Sequence, residues 1–221
     1  MFPISDVIPS RTTPYVTIGI IAVNALAFLY ELTLGSRDLR AFTYALGVVP
    51  ASFAWLTVLT SMFLHGGWMH FLGNMLYLWI FGDNVEDRLG HVLFLCFYLF
   101  SGAAAALGQV AVNPASTVPM VGASGAIAGV MGAYFVLYPR SRVLTAVFIL
   151  IFMDIVEIPA IFFLGIWFLM QLFNGVGSLG PATADGGVAF WAHITGFAVG
   201  LAAAGVQRLR EGSQRQQYWP Y

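Results

Sequence analysis

Residues 89–139 read LGHVLFLCFYLFSGAAAALGQVAVNPASTVPMVGASGAIAGVMGAYFVLYP, 51 positions without a formal charge. A membrane-spanning helix needs about 20 predominantly apolar residues, so this run is long enough for two. Asn113, Pro114, Ser116, Thr117 and Pro119 interrupt it, and two prolines among small polar residues mark a turn. Two spans are expected, about 91–112 and 120–138. The same reading extends to the whole chain. Of its 221 residues 59% are hydrophobic and 9% charged, against about 25% charged in an ordinary soluble domain. Such a chain cannot cover a water-facing surface, and an integral membrane protein is expected.

Working outward, charge-free stretches serve as a ruler. The 19 uncharged residues between Arg11 and Glu31 make the first span. Residues 41–82 are also uncharged. Gly47 and Pro50 break the first part into a membrane-associated loop, and one helix is expected over roughly 56–81. The apolar run VLTAVFILIFM between Arg142 and Asp154 has 11 residues, too few to cross, and is expected to lie along the interface or dip partway in. Pro159 opens the fifth span, since proline suits a helix's first turn, and that span ends near Phe173. The glycine-rich residues 174–187 read as a loop and 188–207 as the sixth span. The expected architecture is an all-α bundle of six transmembrane helices. Residues 1–13 form a cytoplasmic segment, 14–207 the membrane domain and 208–221 a polar cytoplasmic tail.

Six spans put both termini on one side. Arg11, Arg88, Arg140, Arg142, Arg208, Arg210 and Arg215 fall on that side, and only Arg37 and Arg40 opposite, so the positive-inside rule sets both termini in the cytoplasm. The nine cations, all arginine, face ten carboxylates for a net charge of −1. No basic face for nucleic acid is available. The single Cys96 excludes an intrachain disulfide framework and a thiolate cage.

Polar groups inside spans are costly and mark function by default. Ser124 opens the fourth span and His193 lies about five residues into the sixth, at matched depth near the outer face. A hydroxyl and an imidazole so placed are the parts of a nucleophile–base pair. Gly125, Gly129 and Gly132 form a stripe beside Ser124, and His193, Gly196 and Gly200 share a face of the sixth span. Small residues let membrane helices approach closely, so helix packing through Gly125, Gly129, Gly196 and Gly200 is expected to bring the pair together. His70 and Asn74, four apart, share a face of the second span. With the backbone N–H of Ser124, which has no partner within its helix, they could hold an anionic oxygen. His65 is about 140° round a continuous helix from His70 and is given a structural role, as is His91. Asp154 and Glu157 are read as one face of an interfacial helix. The aromatics Phe162, Phe163, Trp167 and Phe168 are read as lipid-facing or gate packing. A zinc site from His65, His70 and His193 is disfavoured by the five-residue step and the lack of a nearby carboxylate, so neither metal nor cofactor is expected.

GASGAIAGVMGAY around Ser124, HGGWMHFLGN at 65–74 and AHITGFAVG around His193 resemble the rhomboid family of intramembrane serine proteases. The acidic segment GDNVEDRLG at 82–90 resembles the family's turn after the second span. The resemblance covers roughly residues 14–207. It implies hydrolysis of peptide bonds in transmembrane protein substrates within the lipid bilayer. Ser124 would be the nucleophile, His193 the base and then acid, and His70, Asn74 and the Ser124 N–H the oxyanion hole. It implies no carboxylate partner for the histidine, and lateral substrate entry past the fifth span and residues 174–187. Two features depart from some members. Ala128 stands where an aromatic stacks on the histidine, and the first loop has no Trp-Arg pair. A compact six-span form without a transit peptide suits a bacterial plasma membrane. The competing expectations are a rhomboid-like protein that binds membrane segments without cutting them, and a proton-coupled transporter.

Overall fold

The computed structural model describes residues 2–149, 152–179 and 188–218. The helices are α1 (Tyr15–Thr33), α2 (Ser36–Leu46), α3 (Trp55–Thr60), α4 (Trp68–Leu89), α5 (His91–Val112), α6 (Ser124–Leu137), α7 (Ala160–Gly177) and α8 (Phe190–Tyr218). Three strands, β1 (Phe2–Asp6), β2 (Arg142–Ile149) and β3 (Phe152–Pro159), form one antiparallel sheet in the order β1-β2-β3. Among the described residues four helices, α1, α5, α7 and α8, are long and apolar enough to cross a membrane. α4 has 22 residues but ends in Asp83, Glu86, Asp87 and Arg88. α6 has 14 residues, about 21 Å at 1.5 Å per residue, shorter than the ~30 Å hydrocarbon core.

The helix expected over 56–81 is displaced. The chain makes α3, a tight 3-10 turn at Ser61–Phe63 and an extended step through Leu64 before α4 begins at Trp68. Gly67, with φ +148°, adopts a backbone conformation that only glycine reaches cheaply, and this ends any continuous helix. α4 then runs straight through the acidic segment expected to be a turn. Its carboxylates accept hydrogen bonds from the N-terminal segment. Asp87 accepts from the backbone N–H of Arg11 at 2.6 Å and of Thr12 at 3.0 Å, and Asp83 from the Ser10 hydroxyl. Glu86 is fully buried and accepts from Val16 N–H at 2.9 Å, Thr17 N–H at 2.8 Å and Thr17 Oγ1 at 2.7 Å. A carboxylate there satisfies the first-turn amides of α1 and complements the positive end of its dipole.

The fold is mostly helical rather than all-α. Residues 143–149 and 152–153 of the run expected at the interface belong to the paired strands β2 and β3, and residues 150–151 lie outside the described residues. A continuous apolar run cannot be assigned to helix or strand by periodicity. β-Branched Val143, Thr145, Val147, Ile155, Val156 and Ile158 favour the strand. Asp154 and Glu157 accordingly stand on β3 instead of a helix, with Glu157 paired to Arg142 at 3.2 Å. β1 is fastened to the bundle through Asp6, which accepts from Tyr134 OH at 2.5 Å and Asn84 Nδ2 at 3.2 Å. Burial pushes the Asp6 carboxyl up to about 6.

α7 starts directly after Pro159 and continues to Gly177, past the expected end near Phe173. Residues 180–187 of the expected loop lie outside the described residues. α8 likewise runs past Gln207 to Tyr218. Arg208 donates to the Leu137 carbonyl at 3.1 Å and Arg88 pairs with Glu211, which fastens this end of α8 beside the sheet.

α6 is the centre of the bundle, with eleven of its fourteen residues buried. The glycines divide the work differently from the expected α6–α8 stripe. A Cβ on Gly125 would stand 2.6 Å from Ala105 Cβ, and one on Gly129 2.5 Å from Ser101 Cβ, so these two admit α5. On the α8 side Gly132 yields, a Cβ on it lying 2.2 Å from the Phe197 carbonyl oxygen, and so do Gly196 and Gly200. A Cβ there would lie 2.1 Å from the Gly125 carbonyl oxygen and 2.0 Å from that of Gly129. Backbone meets backbone along α6 and α8, at the end of the bundle opposite the sheet.

Candidate active site

Ser124 is the first residue of α6, and the loop before it is fastened on both sides. Val48 and Met120 exchange backbone hydrogen bonds of 3.0 and 2.8 Å, Ala51 N–H reaches Ser116 O at 2.9 Å, and Gly122 N–H reaches Ser61 O at 2.8 Å. Gly122 has φ +124°, and a Cβ on it would lie 2.6 Å from His70 Nε2. Both the conformation and the space exclude a side chain.

His193 sits in the first turn of α8 and is buried. Its Nε2 is 2.8 Å from Ser124 Oγ, and its Nδ1 is 2.8 Å from Gln171 Oε1 on α7. An amide oxygen can only accept, so the Nδ1 contact requires a proton on Nδ1. Nε2 is then left as the acceptor for the serine hydroxyl. The indole of Trp167 stands 5.7 Å from the imidazole, centroid to centroid, and 6.0 Å from the Phe197 ring. Trp167, expected to face lipid or a gate, instead packs beside the histidine. It supplies from α7 the aromatic neighbour that Ala128 cannot supply from α6.

Gln171 was not among the residues expected here. The signal was present: a buried glutamine in an otherwise apolar span demands a partner. Only the three-dimensional arrangement shows that the partner is His193.

His70 and Asn74 lie on the first two turns of α4. Gly66 N–H donates to His70 Nδ1 at 3.3 Å, which leaves Nε2 carrying the proton, directed toward Gly122. Asn74 Nδ2 is buried and finds no hydrogen-bond partner among the described residues. A buried donor without an acceptor costs about 1–3 kcal/mol, and such a group is poised to receive one. His70, Asn74, Gly122, Ser124 and His193 line a single cavity of about 1720 Å³. The arrangement offers an alcohol hydrogen-bonded to an imidazole, and donors able to face an oxygen that gains negative charge.

His65 precedes α4 and is not on it, so its helical angle to His70 does not apply. Its ring packs on Phe28, His70 and Phe71, and its backbone N–H donates to the Glu31 carboxylate at 3.2 Å. His91 bonds Glu86 at 2.6 Å, at the sheet end. Among the described residues no group of three or more His, Cys, Asp or Glu is placed to hold a metal ion.

Comparison with known proteins matches residues 52–209 to the family described as the Rhomboid domain. YdcA of Bacillus subtilis, named as a candidate rhomboid protease, is 37% identical over 128 residues, covering 56% of this chain and 62% of that one. The rhomboid protease GluP of the same organism is 36% identical over 124 residues, 54% of this chain and 24% of its own. The mitochondrial Rhomboid protein 1 of Saccharomyces cerevisiae is 29% identical over 150 residues, 66% and 40% respectively. The aligned stretch covers less than two thirds of each relative.

Proposed function

Since the chain belongs to the rhomboid family and is an integral, multi-pass membrane protein, we propose that it is a serine endopeptidase cleaving transmembrane segments of membrane proteins. Residues 14–207 form the catalytic membrane domain, α1, α4, α5, α6, α7 and α8 being its six spans, and residues 208–221 continue as a cytoplasmic tail. Ser124 Oγ attacks the scissile carbonyl carbon as its proton passes to His193 Nε2. His70 Nε2–H, Asn74 Nδ2–H and the Ser124 N–H stabilise the oxyanion. The carbon–nitrogen bond then breaks, and His193 returns the proton to the departing amine. Water, deprotonated by the same nitrogen, hydrolyses the acyl-serine and regenerates the hydroxyl.

The observation that carries this reading is the 2.8 Å contact between Ser124 Oγ and His193 Nε2 beside a cavity that the unpartnered Asn74 amide also lines. Donors aimed at a developing charge are the largest single contribution in this kind of chemistry. An intact pair also disfavours the non-cutting alternative. Arg11, Arg88, Arg142 and Arg208 gather at the sheet end, and Arg37 and Arg40 lie on α2 beyond the far end of α1. That asymmetry is the ground for setting both termini in the cytoplasm, with the serine near the outer face of the membrane. The test is cleavage of a fluorescent transmembrane peptide by purified protein in liposomes. Cleavage is expected in the parent and lost in both Ser124→Ala and His193→Ala. A Ser124→Ala variant that cuts as fast as the parent overturns the assignment.

A further inference from the structure

Gln171 is an amide within a transmembrane helix that the catalytic scheme above does not use. It lies on α7 among Phe168, Leu169, Met170, Leu172 and Phe173 and is buried. An amide in such surroundings is tolerated only when both its ends are bonded. Here they are: Oε1 meets His193 Nδ1 at 2.8 Å and Nε2 donates to the Trp167 carbonyl, one turn earlier, at 3.4 Å. The second contact fixes which end is which. A reversed amide would set its oxygen against a carbonyl oxygen, with no proton between them. Its NH₂ would also donate to Nδ1 and force the imidazole proton onto Nε2, the atom that must accept from Ser124.

We propose that Gln171 is a positioning residue that holds the proton of His193 on Nδ1 and keeps Nε2 aimed at Ser124. The proposal rests on the protease reading for its kinetic consequence but not for its structural one. A neutral amide here replaces the buried carboxylate of serine hydrolases that use three residues. It fixes the tautomer and ring orientation and leaves no charge inside the membrane. The groups facing the imidazole are Ser124 from α6, His70 from α4, and neutral Gln171 and Trp167 from α7. None is anionic at neutral pH, so a charge introduced at 171 acts on an otherwise neutral surround.

Three variants in liposomes test this, each checked for an unchanged melting temperature. Gln171→Leu keeps the bulk and removes the acceptor; Gln171→Glu keeps the acceptor and adds charge; Gln171→Asn shortens the reach. The expected result for leucine is a fall in kcat of about 10- to 100-fold with KM changed less than about twofold. The glutamate variant recovers most of that loss and shifts the acidic limb of its kcat/KM profile to higher pH, because a nearby anion favours the imidazolium. Asparagine falls between them. Equal losses in leucine and glutamate without a moved limb reduce Gln171 to packing and overturn the proposal. So does a leucine variant with parental kcat.

A second measurement separates this from failure of the protease reading. ¹⁵N spectra of histidine-labelled protein, with His193 assigned by its loss in His193→Ala, are expected to show the proton on Nδ1 in the parent and a mixed tautomer in Gln171→Leu. An unchanged tautomer in that variant refutes the proposal. If no protein in the series cuts the peptide, the protease reading fails while the tautomer result still decides the role of Gln171.

Discussion

The Ser124–His193 contact depends on how closely two backbones approach, which makes Gly196→Ala the most informative single perturbation. A methyl on Gly196 would stand 2.1 Å from the Gly125 carbonyl oxygen, where an ordinary carbon–oxygen contact is about 3.3 Å. Both partners belong to helix backbone, so no side chain can swing away. α6 and α8 must therefore part by about 1.2 Å at this level, taking 3.3 Å as the limit. Gly125 adjoins Ser124, and Gly196 lies one turn from His193. The 2.8 Å hydrogen bond thus opens to roughly 3.5–4 Å, beyond hydrogen-bond reach. Overpacking costs about 1–3 kcal/mol, offset in part by alanine's helix preference of up to about 1 kcal/mol. A misplacement of this size costs about 100-fold in rate. Gly205→Ala is the control on the same helix: a Cβ there meets nothing within 4 Å, so stability holds or rises by up to about 1 kcal/mol and activity is unchanged. Initial rates in liposomes and thermal melting in detergent read both effects. A Gly196→Ala protein retaining activity within about threefold of the parent would refute the claim that close backbone packing sets the catalytic distance.

Asn74→Ala is expected to lower kcat by about 100- to 1000-fold, the loss typical of one oxyanion donor, with melting within a degree or two of the parent; an unaffected kcat removes Asn74 from the site. Glu86→Ala strands the Val16 and Thr17 amides and is expected to cost about 2–4 kcal/mol, read by thermal or denaturant melting, while the distant Ser124 site keeps its reagent reactivity. Asp6 gives a pH signature. Its folded carboxyl titrates near 6 instead of the usual 3.8, so between those values the folded state binds more protons than the unfolded one. Stability is therefore greatest below about pH 4 and falls as pH rises through 6. Full conversion of that difference gives about 3 kcal/mol, and partial solvent access reduces it to roughly 1–2 kcal/mol. Asp6→Asn still accepts from Tyr134 and should flatten this dependence in melting curves between pH 4 and 7; an unaltered slope assigns it elsewhere.

The residues of the candidate site are legible in the sequence because each breaks a strong local rule. Ser124, His193, His70 and Asn74 are polar groups in apolar spans, set at spacings that a helix converts into shared faces. Gln171 breaks the same rule. It was passed over because it sits among the apolar and aromatic residues of α7, and its partner His193 lies on α8. Element boundaries were less readable. A charge ruler measures where apolar windows end, whereas helices end where hydrogen bonding or φ fails. Gly67 therefore stopped α4 inside an apolar run, and Asp83, Glu86 and Asp87 did not stop it, because Ser10, Arg11, Thr12, Val16 and Thr17 satisfy them. The strand character of β2 and β3 was not readable for a third reason. A short continuous apolar run carries no period that separates strand from helix, and the sheet is completed by β1 from more than 130 residues earlier in the chain.

Covalent labelling with a fluorophosphonate, mapped by peptide mass spectrometry, tests the paired serine and histidine most directly. The expected result is one adduct on the peptide carrying Ser124, formed in the parent and lost in His193→Ala. An adduct elsewhere, none at all, or undiminished labelling without His193 would contradict it.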